Sequence, residues 1–194
     1  HNRTHSFPTR RSSDLNGGTG ADIINGGNGN DTINLANGDF AAGESLTGGG
    51  GTDNIIFTNA TTVDFTTGTL ATIETLNGST GNDIVTMSGT QLNSFTTLSF
   101  NGGTDTLNIT STSTGLNALA NGSLTGLENI SASTAAAAVT INMSAQTEGF
   151  TITGSAFNDT LTGGSGNDTL TGGNGNDTIT GGAGTDTVIY SLAW

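Results

Sequence analysis

The chain has 194 residues and a formal net charge of −13, which comes from 16 acidic and only 3 basic residues. No Lys, Arg or His follows Arg11, so the rest of the chain carries negative charge without a cationic partner. This balance disfavours nucleic acid and anionic membranes as partners. The absence of cysteine excludes disulfide bonds and thiol chemistry, and no apolar run approaches the length of a membrane span.

The first fifteen residues differ from everything that follows, because they contain both histidines, every arginine and the single proline. The segment HSFPTRRSSDL (5–15) resembles a translated sequencing adapter. We therefore expect residues 1–15 to be a disordered, non-native scar, and the native chain to begin near Asn16 as a piece of a longer protein. The alternative is a native basic leader, although it lacks the apolar stretch of a signal peptide.

A nine-residue repeat dominates both ends of the remaining chain. Residues 163–189 contain three consecutive units, GGSGNDTLT, GGNGNDTIT and GGAGTDTVI, and a weaker unit, GSAFNDTLT, precedes them at 154–162. The same unit occurs at 17–25, 26–34 and 48–56, and more diverged copies surround Asp83 and Asp105. Two residues after each repeat aspartate stands an aliphatic residue: Ile24, Ile33, Ile55, Val85, Leu107, Leu161, Leu170, Ile179 and Val188. This constant phase predicts a stacked solenoid core rather than a glycine-rich linker.

The residue types of one unit predict its local structure. Glycines at the first, second and fourth positions allow positive φ and close backbone approach, and the aspartate closes the turn. The next three residues are extended, with the middle side chain facing inward. Two units form one coil, so that residues eighteen apart stack and Asp168 lies over Asp186 while Asp159 lies over Asp177.

Carboxylate and carbonyl oxygens in flexible turns are the ligands of a hard divalent ion, and they favour Ca²⁺ over Mg²⁺. A transition metal is not expected, because the repeats contain neither His nor Cys. Without cations the chain repels itself, so we expect it to be largely disordered without calcium and to fold when calcium binds. The predicted metal-binding residues are Asp22, Asp31, Asp53, Asp83, Asp159, Asp168, Asp177 and Asp186, with Gly164, Gly166, Gly173 and Gly175.

These units resemble the GGxGxDxUx repeats of the RTX (repeats-in-toxin, or hemolysin-type) family. The units at Asp83, Asp105 and Asp159 depart from that pattern at one or more glycines. The resemblance implies an all-β fold, a right-handed parallel β-roll or β-helix solenoid filled with several calcium ions. It also implies a secreted bacterial protein that leaves the cell unfolded by type I secretion and folds outside it or at the cell surface.

The middle of the chain has fewer nonapeptides and a longer period. LATIETL (70–76) recurs as LTGLENI (124–130), an offset of 54 residues that carries Glu74 onto Glu128. We predict a calcium-poor β-solenoid over 59–153, between N-terminal repeats at 16–58 and a C-terminal β-roll at 154–194. The alternating strands also permit a separate β-sandwich insert.

Catalysis is not expected, because the serines and threonines have no His or Lys beside them in the repeats to activate them. The acidic residues outside the repeat phase are Asp39, Asp64, Glu44, Glu74, Glu128 and Glu148. The alternative function is a structural spacer or adhesin segment of a large surface protein, with a cell-surface or polysaccharide partner bound through the rest of that protein. Ice binding through outward threonines (Thr160, Thr169, Thr178 and Thr187) is a remote variant.

Overall fold

Short extended segments follow one another along the described chain, because Thr and Asn alternate with inward aliphatic residues at a period of two. The computed structural model describes residues 4–6 and 14–190. Within these residues the chain is a β-solenoid of about 8 turns, and every pair of neighbouring strands is parallel. The prediction of an all-β parallel solenoid is confirmed.

Two of the four sheets begin at the N-terminal end of the described chain. Sheet A contains β1 (Thr4–Ser6), β3 (Ile23–Asn28), β5 (Ser45–Gly50) and β8 (Thr69–Ala71), in that order. Sheet B contains β2 (Asp14–Leu15), β4 (Thr32–Leu35), β6 (Asn54–Phe57), β9 (Thr75–Asn77), β11 (Thr97–Ser99) and β13 (Leu124–Thr125).

The other two sheets extend to the C-terminal end of the described chain. Sheet C contains β7 (Thr62–Asp64), β10 (Ile84–Met87), β12 (Thr106–Ile109), β14 (Asn129–Ser131), β16 (Thr151–Thr153), β18 (Thr169–Thr171) and β20 (Thr187–Ile189). Sheet D contains β15 (Thr140–Asn142), β17 (Thr160–Thr162) and β19 (Thr178–Thr180).

The width of a coil changes along the solenoid. At the C-terminal end the strands alternate between sheets C and D, and stacked residues are 18 apart, as the two-unit coil predicts. In the middle, β5, β6 and β7 lie in three different sheets, and β8, β9 and β10 return to the same three sheets in the same order. Stacked residues are 22 apart there, so these coils are wider than those at the C-terminal end.

The core consists of aliphatic rows that run through the sheets. In sheet B, Leu15, Ile33, Ile55, Leu76, Leu98 and Leu124 are paired in register, and all of them are buried. The predicted core positions from Ile24 to Leu170 are buried, while Ile179 and Val188 in the last coil are half-buried. Most of the buried apolar side chains lie between Leu46 and Ile152, so the core is largest in the middle of the chain.

Within residues 4–6 and 14–190, helical structure is limited to one turn of α-helix, α1 (Gly89–Leu92), and two 3₁₀ turns, Phe65–Thr67 and Leu116–Ala118. A capping box between Ser88 and Gln91 closes the start of α1. Among the described residues no helix is long and apolar enough to cross a membrane.

The predicted domain boundaries, at 16, 59 and 154, stay predictions. Thr4–Ser6 and Asp14–Leu15 pair with β3 and β4, and Leu15 is buried. Residues 1–3 and 7–13 of the segment predicted to be a scar lie outside the described residues, as do residues 191–194.

We expect Leu76→Ala to lower the free energy of unfolding by about 2–5 kcal/mol, because the side chain is fully buried in sheet B and its removal leaves a cavity. Ile84→Ala is the control, since Ile84 is 39% exposed, and it should cost less than about 1 kcal/mol. Urea unfolding at saturating calcium measures both. Equal losses of unfolding free energy in the two variants would contradict the assignment of Leu76 to the core and of Ile84 to the outer face.

Candidate metal centre

A carboxylate stands directly before most strands of the solenoid, and we call this set the carboxylate ladder. Its members precede β3, β4, β5, β6, β9, β10, β12, β14, β17, β18, β19 and β20. In chain order they are Asp22, Asp31, Glu44, Asp53, Glu74, Asp83, Asp105, Glu128, Asp159, Asp168, Asp177 and Asp186.

One hydrogen bond recurs along the ladder. The carboxylate of a member accepts the backbone N–H of the residue that holds the same position one coil earlier. Asp53 Oδ1 accepts from Asp31 N at 2.8 Å, and Asp186 Oδ1 accepts from Asp168 N at 3.0 Å. The same contact is made by Glu74, Asp83, Asp105, Glu128, Asp159, Asp168 and Asp177. These bonds link each turn to the coil beneath it.

Three glutamates belong to the ladder, which corrects the expectation that Glu44, Glu74 and Glu128 lie outside the repeat phase. Each begins a tripeptide of the same form as the repeat: Glu-Ser-Leu, Glu-Thr-Leu and Glu-Asn-Ile. Glu74 and Glu128 reach the backbone N–H of the previous coil with their longer side chains, both at 2.8 Å. The sequence contains a signal for these three glutamates, because each stands two positions before an aliphatic residue, as the repeat aspartates do.

The first glycine of the unit is required for space, not for a left-handed backbone. A Cβ at Gly26 would lie 2.6 Å from Asp31 Oδ2, and φ at this glycine is not positive. The same obstruction by the aspartate five residues later recurs at Gly17, Gly48, Gly78, Gly154, Gly163, Gly172 and Gly181. The carboxylate therefore folds back over the start of its own turn.

The second and fourth positions divide the turns into two kinds. In the left-handed turns both positions have positive φ, as at Gly173 (99°) and Gly175 (119°). These turns are 17–22, 26–31, 48–53, 100–105, 172–177 and 181–186.

In the closed turns the second residue donates its backbone N–H to its own aspartate. Ser79 donates to Asp83 Oδ2 at 2.7 Å, Ser155 to Asp159 Oδ2 at 2.5 Å, and Gly164 to Asp168 Oδ2 at 2.8 Å. The closed turns are 78–83, 154–159 and 163–168, and none of them has positive φ at these positions. The predicted glycine ligands thus separate, because Gly164 and Gly166 lie in a closed turn while Gly173 and Gly175 lie in a left-handed one.

Burial makes several ladder carboxylates hard to ionise. It raises the pKa of Glu44 to about 7 and that of Asp105 to about 6, and it raises the pKa of Asp53 as well. Asp53 Oδ2, Asp105 Oδ2 and Glu44 Oε1 are buried and accept no hydrogen bond. Because no Lys, Arg or His follows Arg11 in the sequence, the negative charge of these carboxylates can be neutralised by a proton or by a metal cation.

The donor set fits calcium. Its groups are hard oxygen atoms, and the buried, unpaired carboxylate oxygens are ready-made ligands. No group of three or more Asp, Glu, His or Cys side chains comes together among the described residues, so backbone carbonyls of the turns would have to complete any site. Ca²⁺ accepts such mixed ligands more readily than Mg²⁺, because it tolerates irregular geometry.

Comparison with known families gives one match. The model of the RTX calcium-binding nonapeptide repeat matches the chain in 4 copies, over residues 12–39, 70–86 and 153–188. These ranges contain all three closed turns and the left-handed turns except 48–53 and 100–105. No curated protein and no solved structure matches the chain.

We expect Gly48→Ala to lower the free energy of unfolding by about 1–3 kcal/mol, since the new Cβ would collide with Thr72 O and with the Asp53 carboxylate. Gly50→Ala in the same turn is the matched control. Its Cβ would meet only Asn28 Oδ1, at 3.4 Å, and this residue is exposed. Urea unfolding at saturating calcium should show no loss, or a slight gain, for the control. A harmless Gly48→Ala would refute the spatial role of the first glycine.

We expect Glu44 to make stability depend on pH. Its pKa is 4.5 ordinarily and about 7 in the folded chain, because of burial and the nearby Asp22 and Asp39 carboxylates. Below pH 4.5 the group is protonated in both states, and its contribution is fully present. As pH rises through 7 that contribution is lost, because only the unfolded chain ionises freely.

The measurement is the difference in unfolding free energy between the wild-type chain and Glu44→Gln from pH 4 to 8, at one fixed calcium concentration. The glutamine keeps an oxygen that can accept the Ala41 N–H, now at 3.0 Å, but it cannot ionise. The free energy of unfolding of Glu44→Gln should increase relative to that of the wild type as pH rises from 4.5 to 7. A constant difference would show that Glu44 titrates normally.

Proposed function

We propose that this chain, which carries RTX calcium-binding nonapeptide repeats, is a calcium-binding module of a secreted bacterial protein whose folding is completed by Ca²⁺ outside the cell. The observation that carries the proposal is the set of buried carboxylates from Glu44 to Asp168, in a stretch of sequence that contains no Lys, Arg or His. Binding and charge neutralisation are the proposed role, and catalysis is not part of it.

The proposed ligands are the predicted aspartates and glycines, together with carbonyls of their turns. Asp22, Asp31, Asp53, Asp177 and Asp186 belong to left-handed turns, and they are the first candidates. Asp83, Asp159 and Asp168 belong to closed turns, where both carboxylate oxygens already accept backbone hydrogen bonds. Bound calcium would supply positive charge between stacked carboxylates, and so remove the repulsion that opposes the coil.

Calcium concentration can separate the inside of a cell from the outside. Extracellular calcium modules typically bind at roughly 10⁻⁴ to 10⁻³ M, which is far above cytosolic calcium. A chain with such affinity stays unliganded during synthesis and becomes liganded after export. Export by type I secretion is what the family resemblance implies, and we include it in the proposal.

The effect of calcium should be uneven along the chain. The middle has a continuous apolar core, whereas Ile179 and Val188 in the last coil are only half-buried and their Asp177 and Asp186 carboxylates are partly exposed. Apolar burial can offset charge repulsion in the middle, but little of it is present at the C-terminal end. We therefore expect calcium to order residues 154–190 most strongly.

The test is far-UV circular dichroism of the full chain from chelator to about 10 mM calcium, combined with hydrogen exchange of the same samples and magnesium as the control. A calcium-selective gain of β signal should appear, and amide protection should increase most in residues 154–190. Equal effects of magnesium, or no change with either ion, would refute the proposal.

A second candidate is a structural spacer or adhesin segment, for which calcium only stiffens an existing rod. The long apolar core of the wider middle coils favours it, because that part of the solenoid can hold together by burial alone. The two candidates predict different shapes when a chelator removes calcium. A spacer keeps its full elongated shape in small-angle scattering without calcium, whereas a calcium-completed module loses its C-terminal coils.

A further inference from the structure

The turn 100–105 has the backbone of the left-handed turns without the corresponding sequence. Its sequence, FNGGTD, lacks glycine at the first two positions of the unit, and it lies outside the ranges that match the RTX repeat. Even so, Asn101 (φ 63°) and Gly103 (φ 130°) adopt positive φ at the second and fourth positions. Asparagine is among the few non-glycine residues that tolerate this conformation.

Contacts with the coil beneath hold this turn in place. Asn101 Nδ2 donates to Gly78 O at 2.5 Å. A Cβ at Gly103 would lie 2.8 Å from Gly81 O, so the two backbones touch with no room for a side chain. The turns 78–83 and 100–105 therefore form a stacked pair, like the pair 163–168 and 181–186, where the Cβ of Gly182 would meet Gly164 O.

The carboxylate of Asp105 has one oxygen in use and one free. Asp105 Oδ1 accepts from Asp83 N at 2.6 Å, while Oδ2 is buried and accepts no hydrogen bond. The residue is 0% exposed. The Asp83 and Glu128 carboxylates repel its negative charge, which makes the need for a cation greater.

We propose that the stacked turns 78–83 and 100–105 hold a further calcium ion, with Asp105 Oδ2 as its unpaired carboxylate ligand. The proposal rests on the proposed calcium binding of the chain, and it adds a site that the glycine pattern does not indicate. The backbone of the stacked turns, rather than the match to GGxGxD, is what selects the site.

The first experiment counts bound calcium ions in the full chain by native mass spectrometry at saturating calcium. Asp105→Asn keeps an oxygen to accept the Asp83 N–H but replaces the ligand oxygen by an amide, so it should bind one ion fewer than the wild type. Asp64→Asn is the control for loss of one negative charge. Asp64 is exposed, caps the 3₁₀ turn Phe65–Thr67 and lies outside the ladder, so its count should be unchanged.

A crystal of the wild-type chain grown in calcium gives a second measurement that no folding defect of a variant can obscure. Anomalous scattering should place a calcium ion within bonding distance of Asp105 Oδ2. Ions in the turns of the matched repeats but none at Asp105 would overturn this inference alone, as would an unchanged ion count for folded Asp105→Asn. A wild-type chain without any bound calcium would overturn the proposed function as well.

Discussion

The solenoid depends on one recurring hydrogen bond, from a backbone N–H to the carboxylate that stands one coil further along. It is made at the entrance of the strand, for example from Asp31 to Asp53 and from Asp168 to Asp186. Because this position is the residue before each strand, the bond fixes the register in which strands of successive coils pair. A slip of one residue would also turn the aliphatic row to the outside, so both constraints specify the same register.

The same ladder creates the main energetic problem of the fold. It stacks like charges at every coil, and burial makes their ionisation more costly, as the raised pKa values of Asp53, Asp105 and Glu44 indicate. In the middle of the chain the coils are wider and enclose a larger apolar core. In the two-sheet C-terminal coils that core ends at half-buried Ile179 and Val188. The balance between apolar burial and charge therefore shifts along one continuous solenoid.

Sequence periodicity predicted the part of this structure that repeats at fixed spacing. The aspartates, the aliphatic residues two positions later and the eighteen-residue stack at the C-terminal end follow from the nonapeptide alone. The ladder glutamates did not follow from the nonapeptide, because that pattern was defined by glycines and aspartate. The hydrogen bond needs only a carboxylate before a strand. Glu74 precedes a strand of sheet B and Glu128 precedes a strand of sheet C, since their 54-residue offset is not a whole number of 22-residue coils.

Turn conformation could not be predicted from local sequence, as two nearly identical turns demonstrate. GGSGND (163–168) is closed and GGNGND (172–177) is left-handed, although they differ in one residue. The difference lies in what is beneath them. The first turn stacks on an irregular loop, where Gln146 O accepts from Ser165 N, while the second stacks on another repeat turn, where a Cβ at Gly173 would meet Ser155 O. The turns 48–53, 100–105 and 181–186 likewise stack on repeat turns and are left-handed. In these four turns the left-handed backbone is found where a repeat turn lies in the coil below, and a sequence as divergent as FNGGTD takes the same shape in that setting.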